Sequence, residues 1–152
     1  MHPRKLSAIA LGAIVLAAIV VAGCGGSSLS NGQLQTDVTK ICSLTSARTN
    51  HIPTPGSPNA TLTYLDQGIA ALTPELKGLQ ALHPTGDDAQ VYRSTVKTFS
   101  DTIDALKEAS RGLRRGDDPV KTLQDLQRRL GPLVSQENGG WDALELPACE
   151  SH

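Results

Sequence analysis

The chain has 152 residues, enough for one domain, with 14 Lys and Arg against 15 Asp and Glu. So even a balance argues against nucleic acid and other polyanions as partners, which call for a marked basic excess. The only aromatic residues are Tyr64, Tyr92, Phe99 and Trp141, too few for a base-stacking platform, so a core must be built from Leu, Val, Ile and Ala.

The first element is a targeting signal over residues 1–23. Arg4 and Lys5 supply a positive start, residues 6–21 are apolar apart from Ser7, and the small residues Ala22 and Gly23 follow. That layout is a secretory signal helix with small side chains at its cleavage point. The run is also about long enough to cross a bilayer, but Gly25 and Gly26 come next and no charge appears until Asp37, unlike a stop-transfer anchor. Val21-Ala22-Gly23-Cys24 resembles the lipobox of bacterial lipoproteins. The resemblance implies cleavage before Cys24 and acylation of its sulfur, which would hold the protein on the extracytoplasmic face of the cell membrane. Each lipid methylene contributes about 0.8 kcal/mol of membrane binding, and two or more chains anchor stably. Residues 24–32 then form the lipidated Cys and a flexible tether, and residues 33–152 the folded domain. Without residues 1–23 the chain carries 12 basic and 15 acidic residues, a net charge of −3.

With Cys24 lipidated, Cys42 and Cys149 remain. In an oxidising compartment such a pair is expected to form a disulfide, closing almost the whole domain into one loop. Neither Cys has a second Cys or His at ligand spacing, so a metal role is not indicated.

The mature chain predicts four helices. The first is short, with Leu34, Val38 and Ile41 beside Cys42. HIPTPGSPN, residues 51–59, is a loop whose Asn59 is suited to cap the next helix. In the second helix Leu62, Leu65, Ile69, Leu72, Leu76 and Leu79 repeat at steps of three and four. Pro74 falls inside that seam, and the expected result is a kink or a restart capped by Thr73. HPTGDD, residues 83–88, is the next break, with Asp87 and Asp88 at a helix start. The third helix carries Tyr92, Val96, Phe99, Ile103, Leu106, Ser110 and Leu113, again at alternating steps of four and three. Arg114 and Arg115 end it, and Asp117, Asp118 and Pro119 open the fourth, matching both dipole ends and the Pro preference for a first turn. The fourth seam is Val120, Leu123, Leu126, Leu130 and Leu133. Pro132 is expected to bend or stop that helix, and Gly139-Gly140 to loosen the chain beyond it. The tail WDALELPAC, residues 141–149, is expected to run back over the helices and bring Cys149 to Cys42. With short loops the fold class is all-α: an up-down-up-down four-helix bundle closed by one disulfide and preceded by the signal helix. The combination of a lipobox, a Cys in the first helix and the closing Leu144-Glu145-Leu146-Pro147-Ala148-Cys149 resembles small helical lipoproteins of high-G+C bacteria. That resemblance implies no reaction.

A search for chemistry finds little. His2 leaves with the signal, His51 and His83 fall in loops at opposite ends, and His152 is terminal; no metal-ligand cluster and no cofactor motif occurs. Serine nucleophiles lack a His partner in the seams. The acidic pairs 87–88 and 117–118 are explained by capping. Arg111, Arg114, Arg115, Arg128 and Arg129, with Lys107 and Lys121, form the only basic concentration. They are either a solvated face or a docking patch for an anionic envelope protein or polymer. The expected function is a non-catalytic, membrane-anchored interaction or accessory module of the cell envelope. The alternative is a carrier of a small apolar ligand held in the bundle core, for which a cavity of several hundred Å3 is the discriminating feature. An unrecognised enzyme is a third class.

Overall fold

The computed structural model describes residues 29–57 and 60–150. The expected signal segment, the expected lipidation position Cys24, the expected cap Asn59 and the terminal His152 lie outside them. Four α-helices succeed one another, α1 (Asn31–Thr49), α2 (Thr61–Gln80), α3 (Asp88–Arg114) and α4 (Pro119–Ala143), and a 3-10 turn (Pro147–Cys149) closes the chain. The fold is the four-helix bundle that the seams predict. Each helix packs mainly on the next in the chain: α1 on α2, α2 on α3, and α3 on α4. Cross-links show neighbours to be antiparallel. Tyr92 donates to the Leu79 carbonyl and Ser110 to Asp66 across α2–α3, while Thr102 reaches Glu137 and Arg129 reaches Glu108 across α3–α4.

The helix ends obey local chemistry. α1 begins at Asn31, so Asn31 and Gly32, read from sequence as the end of the tether, are helical. Two features fix this start. The Ser30 N–H and hydroxyl both donate to Gln33 Oε1 (3.4 and 3.2 Å), which satisfies polar groups left over at a helix N-terminus. Leu29 also pairs with the buried Pro84 and packs on the core. Asn31 donates to Asp88 Oδ2 at 2.8 Å, tying the start of α1 to the start of α3. At α4, Asp118 accepts from the Lys121 N–H at 2.7 Å and Pro119 occupies the first turn, as the sequence indicates.

The restart at Pro74 and the stop at Pro132 do not occur, nor does a break at Gly139-Gly140. α2 runs unbroken through Pro74, and Thr73 is not a cap: its hydroxyl donates to the Ile69 carbonyl at 2.6 Å within the helix. α4 runs unbroken through Pro132 and through Gly139-Gly140. A Cβ at Gly140 would overlap the Thr95 hydroxyl and lie 2.9 Å from its methyl. That glycine is therefore a contact at which α3 and α4 approach closely. As a result Trp141 belongs to α4, and the tail proper starts at Leu144.

α3 is the central helix because it buries two seams. The first, Tyr92, Val96, Phe99 and Ile103, joins Leu72, Leu76 and Leu79 of α2, Leu34, Val38 and Cys42 of α1, and Trp141, Leu144 and Leu146 in the main core cluster. The second consists of Thr95, Thr98, Thr102, Ala105, Ala109 and Gly112, all buried. It repeats at steps of three and four like the first. Thr95 and Thr98 return their hydroxyls to the Val91 and Ser94 carbonyls (2.8 and 3.1 Å), which presents their methyl groups for packing. Ala105 and Ala109 form a smaller apolar cluster with Leu65 of α2 and Leu126 of α4.

The disulfide Cys42–Cys149 joins α1 to the closing turn across 107 residues, with the Cα atoms 5.1 Å apart. A loop of that size contributes about 4–5 kcal/mol in the chain-entropy model. The closing turn touches both α1 and α4, so it fills the space between them around Cys42. Among the described residues no helix is long and apolar enough to cross a membrane.

Candidate functional site

Sequential packing leaves α2 and α4 as the two walls of a cleft floored by α3. From α2 come Leu65, Gly68 and Leu72, at steps of three and four, with Tyr64 one turn before Gly68. The floor is Phe99, Thr102 and Leu106. α4 contributes Leu123, Leu126, Leu130, Val134 and Glu137. Thr49 and Ile52 at the end of α1, and Glu150 after the disulfide, lie around the rim. The cavity volume is about 390 Å3, within the roughly 300–1,000 Å3 of small-molecule sites. It exists because the closing turn fills the α1–α4 side only near Cys42, and because Gly68 has no side chain to fill the other end; nothing lies within 4 Å of a Cβ placed there. Of the 25 residues of α4 only Leu126, Glu137 and Trp141 are buried. Leu123 and Leu130 face the cleft half-covered, and Tyr64 and Val134, which also line it, are exposed at 39% and 42%.

One charged group sits inside. Glu137 is 5% exposed. Its carboxylate accepts from the Thr102 hydroxyl at 3.4 Å and from the Trp141 indole N–H at 3.3 Å. Trp141 is itself fixed by an edge-on contact with Tyr92, ring centres 6.2 Å apart. Tyr92 donates to the Leu79 carbonyl at 2.8 Å, and burial pushes its phenol well above the ordinary tyrosine range. A chain of buried contacts thus orients the Glu137 carboxylate in an apolar cavity, where electrostatic interactions are stronger than in water.

The basic residues singled out from sequence have acidic neighbours. Arg114 pairs with Asp66 at 2.5 Å, Arg115 with Asp117 at 3.5 Å, Arg128 with Asp125, and Arg129 with Glu108. The Arg129 hydrogen bond, then its charge, holds the Glu108 carboxyl below the usual carboxylate range, and Arg111 and Arg115 add to the effect. Arg115 and Arg129, with Glu108, Asp117 and Asp125, edge a separate hollow of about 190 Å3 between α3 and α4. Four of the five arginines therefore have their charge offset within the chain. Ser110, the polar break in the third seam, donates to Asp66 Oδ1 at 2.7 Å, on the same carboxylate that holds Arg114. His51 and His83 are in the α1–α2 and α2–α3 loops, at opposite ends of α2. Among the described residues no group of three or more His, Cys, Asp or Glu could hold a metal.

The sequence reading missed Glu137, although a signal was present. Leu126, Leu130, Leu133, Glu137 and Trp141 advance by fours and threes, so Glu137 is a charged residue on an otherwise apolar stripe. Such a residue is buried only where something partners it. No protein-family model, curated protein or solved structure matches the chain.

Proposed function

We propose that the protein is a non-catalytic, lipid-anchored extracytoplasmic module that binds a small, largely apolar molecule in the cleft between α2 and α4. The observation that carries this reading is the cavity of about 390 Å3, walled by leucines and two aromatic rings and holding one buried carboxylate. Small-molecule sites have this composition: an apolar lining with a few placed polar groups. The self-compensated arginines favour this use over capture of an anionic partner. Export is supported by the lipobox-like Val21-Ala22-Gly23-Cys24 and by the disulfide, a bond typical of oxidising compartments. The tether would enter beside Leu29 and Pro84, next to the α2–α3 loop. The five residues from Cys24 to Leu29 span at most about 18 Å, so the domain would stand close to the membrane, with the cleft towards its outer half.

The test is calorimetric titration of the full-length chain with decanol, repeated on Gly68→Leu. The open space at Gly68 accepts the added side chain, which plugs the cleft. Saturable binding by the wild type and none by the plugged variant supports the proposal; equal binding by both, or by neither, overturns it. For the anchor, the intact mass of the purified chain should show acyl groups that a Cys24→Ala variant lacks.

A further inference from the structure

We infer that a hollow at the tether end of the α2–α3 groove is a docking surface for anionic phospholipid headgroups of the membrane that holds the protein. The inference rests on the proposed lipid anchor and adds what the domain touches once anchored. The hollow has a volume of about 400 Å3. Leu79, Tyr92 and Val96 are buried in it, and Gln80, His83, Arg93 and Lys97 are exposed around it. Among the described residues no Asp or Glu lines it. Arg93 and Lys97 are four residues apart on α3 and so project from one side of the helix. Lys97 pairs with Asp101 at 2.6 Å, but both are exposed, and such pairs hold weakly in water. Neither His83 nor Arg93 has an ion pair among the described residues, in contrast to the arginines at the opposite end. The carboxylates of the α2–α3 loop are directed elsewhere: Asp88 accepts from Asn31, and Asp87 lines a different hollow shared with Gly140 of α4. Residues 1–28, which precede the described ones, contain no Asp or Glu to offset the patch. The path of the chain names the occupant. Leu29 pairs with Pro84, the residue after His83, and the five residues back to Cys24 span at most about 18 Å. The basic rim is thereby held beside the anchoring surface, where anionic lipid attracts Lys and Arg within about one Debye length, about 8 Å. The Arg93 guanidinium offers paired donors to a phosphate, and the half-buried Leu82 offers an apolar contact beside it.

The chain as purified from membranes is placed in phosphatidylcholine vesicles that carry a minor fraction of one tracer lipid. The tracer is phosphatidylglycerol or phosphatidylcholine, each with a photoreactive group on its head, and labelled peptides are mapped by mass spectrometry. Residues 79–100 should label about tenfold more with the anionic tracer. One Lys or Arg near an anionic surface adds roughly fivefold, and Lys97 is shared with Asp101. Arg93→Gln combined with Lys97→Gln, both at exposed positions, should bring the ratio of the two tracers close to one. So should 1 M salt, at which the Debye length falls to about 3 Å. Equal labelling by the two tracers overturns the inference, as does anionic labelling no stronger at residues 79–100 than at residues 111–121. Loss of labelling when soluble glycerol phosphate is added at the concentration of the tracer would assign the hollow to a free anion and overturn membrane docking. A chain that does not stay with phosphatidylcholine vesicles overturns the anchor, and this inference with it; retention with equal labelling overturns the docking surface alone.

Discussion

Gly139 and Gly140 are adjacent in α4, yet the same substitution should have opposite consequences at the two positions. Nothing lies within 4 Å of a Cβ at Gly139, whereas one at Gly140 overlaps Thr95. In a helix interior Ala is favoured over Gly by about 1 kcal/mol, so Gly139→Ala should stabilise the protein by about that amount. Gly140→Ala gains the same propensity but forces Thr95 aside. Overpacking a tight contact costs about 1–3 kcal/mol, and turning the Thr95 hydroxyl away from the Val91 carbonyl costs about 1 kcal/mol more. The balance is a loss of about 1–3 kcal/mol. Urea unfolding monitored by far-ultraviolet circular dichroism measures both variants. A Thr95→Ala background should relieve Gly140→Ala by about 1 kcal/mol or more, because it removes the two nearest atoms. If Gly140→Ala proves as stabilising as Gly139→Ala, the close approach of α3 and α4 is wrong.

Reduction of Cys42–Cys149 should lower stability by about 4 kcal/mol, read as a shift of the urea midpoint with and without reductant; an unchanged midpoint would mean that the bridge does not constrain the chain. Pro74→Ala should stabilise by about 1–3 kcal/mol, since Pro74 is exposed and α2 is helical on both sides of it; thermal melts showing a loss would indicate that Pro74 has a packing role. Glu108 should titrate by NMR below the ordinary carboxylate range, and Arg129→Gln should move its midpoint upwards. The folded-state pKa is depressed, so the stabilisation from this pair is complete above the ordinary range and fades as pH falls through the lowered midpoint. A Glu108 midpoint indifferent to Arg129 would contradict the pairing.

Residues with strong local signals were legible from sequence. Leu65, Leu72, Leu76 and Leu79, and Tyr92, Val96, Phe99 and Ile103, announce two helices by spacing alone, and Asp118-Pro119 marks the start of the fourth. A restart at Pro74, a stop at Pro132 and a loosened chain after Gly140 do not occur, because packing on both sides carries each helix through. At Gly140 the missing side chain is what lets Thr95 approach. The second seam of α3 has the spacing of the first, but its Thr, Ala and Gly residues do not read as apolar until the hydroxyls are seen folded back. The cleft was the least legible feature, since it depends on what α2 and α4 leave unfilled. Only Glu137, a charge on the apolar stripe of α4, pointed towards it.

Whether the space between α2 and α4 receives a ligand is tested most directly by crystallising the chain with bromodecanol and locating the bromine by its anomalous scattering. A single strong peak inside the cleft, between Phe99 and Leu130, is the expected result. A cleft without bromine while peaks appear elsewhere on the surface would contradict it.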